Sequence, residues 1–158
     1  MRIEEAIKQE NFQSPMQRAS INIIYTAGWL NQQTTHVLRP FDISVQQFNI
    51  LRILRGRKGK PATVKLLTER MLDKMSNASR LVEKLRKKGY VERTECHDDR
   101  RRVDIHITSA GIEVCEQASK ALEENMYKNF QSLTPEEADR LSELLDQLRT
   151  QNNSATAI

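Results

Sequence analysis

The sequence predicts a mainly α-helical chain carrying one small β-hairpin, and three observations support this. Apolar residues recur at three- and four-residue spacing along most of the 158 residues, the period of amphipathic helices. One segment, "RVDIHIT", breaks that rule and alternates apolar with polar residues as a half-buried strand does. Helix-start signals also stand where the helical periods begin: Ser14-Pro15, Ser44 with Gln47, Thr63, and Thr134-Pro135 with Glu137.

Taken in order, a long first helix runs from Ser14 to Phe41, with Met16, Ala19, Ile23, Ala27, Leu30, Val37 and Phe41 on one stripe and Pro40 and Asp42 ending it. A second helix starts at the capping box Ser44/Gln47, buries Phe48, Leu51 and Leu54, and meets its stop at Gly56. "GRKGKPA" is a basic turn. Thr63 caps a short helix with Val64, Leu67 and Met71 inward, "LDK" breaks it, and Ser76 or Asn77 starts another through "NASRLVEKLRKKG". There Ala78, Leu81, Val82 and Leu85 face the core, and Gly89 sits where a helix-terminating glycine belongs. "YVERTE" and "RVDIHIT" form a hairpin around "CHDDRR". Two further helices follow, one from Ser109 with Ile112, Cys115, Ser119, Leu122, Met126 and Phe130, and one from Thr134 with Ala138, Leu141, Leu145 and Leu148. The tail "TQNNSATAI" has no pattern and is expected to fray. Two short helices joined by a few residues and followed at once by a hairpin make a winged helix-turn-helix. The division expected is 1–43 for an N-terminal helix region, 44–108 for the winged helix-turn-helix, 109–150 for C-terminal helices and 151–158 for a frayed tail.

Charge is distributed unevenly. Arg52 to Arg102 holds 17 Lys/Arg and 7 Asp/Glu, a net of +10, while the rest holds 8 and 14, a net of −6, within a chain of net charge +4. A basic face on a neutral or acidic scaffold points to nucleic acid. Other classes find no support. No apolar run reaches the roughly 18 residues that suggest a membrane span, and the N-terminus lacks the apolar region of a signal peptide, so a cytoplasmic protein is expected. Cys96 and Cys115 suit neither a disulfide framework nor a metal site, and His36, His97 and His106 are scattered. With only five glycines, no phosphate-cradling loop appears, nor any nucleophile–base pair. No catalytic residue, metal or cofactor is expected.

On the second helix of the pair, Asn77, Arg80, Lys84 and Lys87 share the face opposite Ala78, Leu81 and Leu85. The N-terminal end of this helix meets base edges in the major groove of double-stranded DNA. Ser76, Asn77, Ser79 and Arg80 are therefore the candidates for base contacts, since Arg suits the O6/N7 edge of guanine and Asn the N6/N7 edge of adenine. Ser76 and Asn77 serve equally well as helix caps. Lys74, Lys84, Lys87 and Lys88 are candidates for phosphates. The hairpin tip carries Arg100, Arg101 and Arg102, and a projecting wing reaches the adjacent minor groove, whose negative potential attracts arginine. Asp99 then has a reason to sit beside them, pairing with one guanidinium and holding its orientation.

The segment "TVKLLTERMLDKMSNASRLVEKLRKKGYVERTECHDDRRRVDIHITSAG" resembles the DNA-binding core of the MarR family of bacterial transcriptional regulators. The resemblance rests on Asp99-x-Arg101 in the wing, "LxKxGYVER" over Leu85–Arg93 and the exit "ITSAG". It implies an obligate homodimer built from the first and last helices, bound to a pseudo-palindrome. It also implies that Arg101 enters the minor groove, that Asp99 braces it, and that Arg100 and Arg102 are auxiliary. Where many members have Asp-Pro before the tip, this chain has Cys96-His97. Many members bind anionic or phenolic ligands between the dimer helices and the winged helix. Tyr25, Trp29, His36 and Arg39 on the first helix are the candidates here for such a cleft, or else pack in the core. The function expected is a dimeric repressor released by a small effector. The alternative is a regulator of the same fold without small-molecule input, an activator or a redox switch through Cys96. Cys115, on an apolar stripe, is expected to be a core residue.

Overall fold

The computed structural model describes residues 1–95 and 103–153. The chain forms two compact units, Met1–Leu122 and the segment from Glu123 onward. Its elements are α1 (Ile3–Ile7), α2 (Pro15–Leu38), a single 3-10 turn (Arg39–Phe41), α3 (Val45–Gly56), α4 (Val64–Arg70), α5 (Ala78–Lys87), β1 (Val91–Glu95), β2 (Val103–Ile107), α6 (Ser109–Phe130) and α7 (Pro135–Asn153). Helix-turn-helix and hairpin follow one another in the expected order.

The caps explain most boundaries. The hydroxyl oxygen of Ser14 accepts from the Gln17 amide, that of Thr63 from Leu66, and the Asn77 side chain from Arg80. Ser44 and Gln47 complete both halves of their capping box, at 3.0 and 3.1 Å. Thr134 and Glu137 do the same for α7. Each satisfies amides that a helix start leaves without partners. At the end of α5, the Gly89 amide donates to the Arg86 carbonyl and the Tyr90 amide to that of Leu85, with Gly89 at φ +74°. This two-bond closure needs a left-handed residue, which glycine supplies without strain.

The core of the first unit gathers Leu38, Ile50, Leu51 and Leu54 with Leu67, Met71, Val82, Leu85, Val91, Ile105 and Cys115, all fully buried. Val91 pairs with Ile107, Arg93 with Ile105 and Glu95 with Val103 in the antiparallel hairpin. A third segment joins it. Ala62 exchanges two backbone hydrogen bonds with Ile105, at 2.8 and 3.0 Å, so the stretch before α4 fixes the base of the hairpin to the helices.

Three expectations need correction, and one element carries no signal in the sequence. The N-terminus contains α1, whose Ile3 is buried, although five residues are too few to show a period. The first long helix stops at Leu38, because Pro40 has no amide to continue it and the chain leaves through Asp42 at φ +52°. Gly56 is the last residue of α3 rather than its stop, and the left-handed positions belong to Lys58 and Gly59. In α7 the helix continues to Asn153, three residues into the expected tail.

The exit from the hairpin is tightly built. The Thr108 hydroxyl donates to the Gly89 carbonyl at 2.7 Å and accepts from the Gly111 amide at 3.0 Å, while the Thr108 amide donates to the Tyr90 carbonyl. α6 thus begins against the residues that end α5. Gly111 is where they meet: a Cβ there would overlap the Tyr90 carbonyl oxygen and crowd the Ile107 side chain. Gly111→Ala should therefore cost about 1–3 kcal/mol through overpacking. Urea unfolding checks this; an unchanged midpoint would contradict the close approach.

Candidate nucleic-acid interface and ligand cleft

α5 forms because its two faces differ so sharply. Ala78, Val82 and Leu85 are buried, whereas Asn77, Ser79, Arg80, Lys84 and Lys87 are exposed. Basic residues Lys84, Arg86 and Lys87 occupy the last turn, where they complement the negative end of the helix dipole. Glu83 is the acidic residue within the helix. Arg86 holds it through two hydrogen bonds, at 2.8 and 3.0 Å, and Arg93 of β1 lies 3.9 Å away. The Arg86 hydrogen bonds hold the Glu83 carboxyl below its ordinary value. This ion cluster links the recognition helix to the wing.

Ser76 and Asn77 are engaged locally. The Ser76 hydroxyl donates to Asp73 at 2.8 Å, and the Asn77 oxygen accepts from the Arg80 amide at 3.0 Å. Their capping roles are visible, while Ser79 and Arg80 lie exposed on the outer face. The Lys74 ammonium donates to the Glu69 carbonyl. Lys88 is bound to Asp42, donating to its carboxylate at 2.9 Å and to its backbone carbonyl. That ion pair ties the end of α5 to the turn between α2 and α3. Asp99, Arg100, Arg101 and Arg102, like Cys96 and His97, lie outside the described residues.

A cleft of about 980 Å³ opens between the end of α2 and the end of α5. His36 and Arg39 line it, as the sequence suggested, but Tyr25 and Trp29 do not. Tyr25 precedes Asn31, the first residue of that helix to line the cleft, by six residues, about 9 Å at 1.5 Å per residue. On the other side are Lys84, Lys87 and Lys88, and Asp42, Ser44 and Gln47 also line the cleft. Five basic or titratable nitrogen groups thus face one carboxylate, itself bound to Lys88, so the cleft suits an anion. Lys84, Lys87 and Lys88 read as phosphate contacts in the sequence because nothing local reveals that α2 lies alongside them. The polar spacing of Gln32, His36 and Arg39 was the available signal. Cys115 is buried, and burial pushes its thiol up from the ordinary value. Among the described residues, no cluster of His, Cys, Asp and Glu could hold a metal ion, and no helix is long and apolar enough to cross a membrane.

Comparison with known proteins agrees with this architecture. Residues 41–102 match the sequence profile of the MarR family. The chain is 30% identical over 107 residues to the uncharacterized HTH-type transcriptional regulator YpoP of Bacillus subtilis, covering 68% of this chain and 74% of that protein. Among solved structures, it is similar to the organohalide-sensing regulator RdhR in its 2,4-dichlorophenol-bound form, with a TM-score of 0.80, 24% identity and coverage of 93% and 91% of the two chains. It is likewise similar to a mutant of Escherichia coli MarR complexed with operator DNA, with a TM-score of 0.75, 22% identity and coverage of 88% and 99%. These two likenesses establish a shared fold. Together with the profile match and the relative from Bacillus subtilis, they lead to one conclusion: the chain belongs to the MarR family, a family of DNA-binding transcription regulators rather than enzymes.

Proposed function

We propose that this regulator is a homodimeric repressor that binds a pseudo-palindromic operator and releases it when a phenolic or other small anionic ligand enters the cleft. The observation that carries the ligand reading is the composition of the cleft walls. His36 comes from the last turn of α2 and Arg39 from the 3-10 turn after it, while Lys84, Lys87 and the capping Lys88 come from the end of the recognition helix. An anion held between them bears directly on the helix that reads DNA. The Asp42–Lys88 ion pair supplies a switch point, because a ligand carboxylate or phenolate competes with Asp42 for the same ammonium. A similar protein bound to 2,4-dichlorophenol supports this choice of ligand class. The raised, buried thiol of Cys115 makes it a poor redox sensor, since the thiolate is the reactive form.

The dimer reading rests on apolar surface that a single chain leaves exposed. On α2, Met16, Ile24, Tyr25 and Trp29 are exposed despite their place on or beside its apolar stripe. On α7, Leu141, Leu144 and Leu148 are exposed as well. Residues 1–43 and 109–150 would supply the dimer contacts, and 44–108 would bind DNA. Arg80 reads a base in the major groove, while Arg101, braced by Asp99 and flanked by Arg100 and Arg102, enters the minor groove.

Arg80→Ala should weaken binding by about 1–3 kcal/mol and relax sequence preference at one position. Fluorescence anisotropy with an operator selected from random duplexes checks this, and an equal loss on every sequence would make Arg80 a phosphate contact. Arg101→Ala should weaken the operator complex markedly and leave the dimer intact; unchanged affinity at moderate salt would remove the minor-groove role. For the effector, 2,4-dichlorophenol and simple phenolic acids should raise the melting temperature and release the operator. At a hundredfold excess over Kd the stabilisation is about 2.7 kcal/mol. Arg39→Ala should retain operator binding and lose both ligand effects. The absence of any shift with these ligands would count against a ligand-responsive cleft.

A further inference from the structure

The turn between α4 and α5 exposes two large apolar side chains, Leu72 at 79% and Met75 at 93%. Large apolar groups left in water at one place call for an explanation, because burying them is favourable wherever a partner exists. Neither lies on the amphipathic stripe of a helix. Both lie in the segment Leu72–Asn77 that leads into the N-terminus of α5.

This turn is held from several sides. The buried Asn49 of α3 accepts a hydrogen bond from the Leu72 amide at 2.9 Å. Asp73 accepts from the Met75 amide at 3.0 Å and from the Ser76 hydroxyl at 2.8 Å, and the Gln46 side chain also bonds to it. These contacts, the Ser76 hydroxyl foremost, hold the Asp73 carboxyl below its ordinary value. Asn77 then caps α5. The backbone under Met75 is therefore fixed, while its flexible thioether side chain remains free to adapt to a surface.

The surroundings select the occupant. Lys74 is adjacent in sequence, and Ser79, Arg80 and Lys84 follow on the exposed face of α5. An apolar group bordered by cations matches the DNA major groove, which has anionic walls and, on its floor, the apolar C5-methyl of thymine. We infer that Met75, held out on the Asn49- and Asp73-braced turn just ahead of α5, is a specificity-determining residue that packs against a thymine methyl in each operator half-site. The inference rests on α5 being the major-groove helix. Leu72 extends the apolar surface of the same turn. Sequence reading passed over this residue because a methionine in a turn carries no hydrogen-bonding group and belongs to no motif.

The test replaces thymine by deoxyuridine, one position at a time, in an operator duplex selected by the full-length protein from a random pool. This removes one methyl and leaves every base-pairing and groove hydrogen-bonding group in place. One position per half-site should lose about fourfold in affinity, the effect of one buried methyl-sized group. That loss should vanish in Met75→Ala and persist in Met75→Leu, while the other positions stay unaffected in all three proteins. Wild-type binding that tolerates deoxyuridine at every position would overturn the methyl contact and leave the role of α5 standing. So would a loss of the same size in Met75→Ala. Failure to enrich any duplex would overturn the methyl contact and the DNA-reading assignment together.

Discussion

The pairing of Ala62 with Ile105 is the constraint on which the DNA-binding unit depends. A two-stranded hairpin is marginal by itself in water, so a projecting wing needs its base fixed to the helices. Ile105 is fully buried, and both its backbone groups bond to Ala62, just before the cap of α4. A few residues on, Thr108 bonds to Gly89, the turn that ends α5, and Gly111 lets α6 approach the Tyr90 carbonyl. The base of the wing, the start of the first helix of the motif and the end of the recognition helix therefore meet within one small region. Displacing any one of them disturbs the others.

The charge pattern follows from the same geometry. The positive excess between Arg52 and Arg102 is not spread evenly around the unit. Arg55 pairs with Glu116 of α6, Arg86 with Glu83 and Lys88 with Asp42. Such exposed pairs contribute little to stability individually, but they determine which cations are already committed. Arg80, Lys84 and Lys87 remain on the outer face of α5, and the two lysines also line the cleft. One helix thus carries exposed polar and basic side chains at its N-terminal end and lines the cleft with lysines at its C-terminal end. One wall of the cleft and the second helix of the helix-turn-helix are the same element.

Much of this was legible in the sequence where the signal was local. The caps at Ser14, Ser44, Thr63 and Thr134, the glycine at position 89 and the alternation of Val103, Ile105 and Ile107 each reflect interactions within a few residues. What escaped was non-local or too short. α1 has only five residues, so no period could announce it. The Ala62–Ile105 pair spans more than forty residues and involves an alanine with no strand-like neighbours. Gly111 stood inside the recognised exit motif, but its reason, the Tyr90 carbonyl, is visible only in three dimensions. The cleft divided in the same way: His36 and Arg39 were legible from their own segment, while their proximity to Lys84, Lys87 and Lys88 was not, because α2 and α5 are far apart in the chain. Met75 carries no motif at all.

Chemical protection of an operator by dimethyl sulfate tests the central claim most directly, because the reagent methylates guanine at N7 in the major groove and adenine at N3 in the minor groove. A winged helix that places α5 in the major groove and its arginine-bearing wing in the minor groove should protect both kinds of site in the same half-site. The two half-sites should lie about 10 bp apart on one face of the duplex. Protection of guanine N7 without adenine N3, even where adenines flank the half-site, would contradict the role of the wing. Protection in a single asymmetric patch would contradict the dimer.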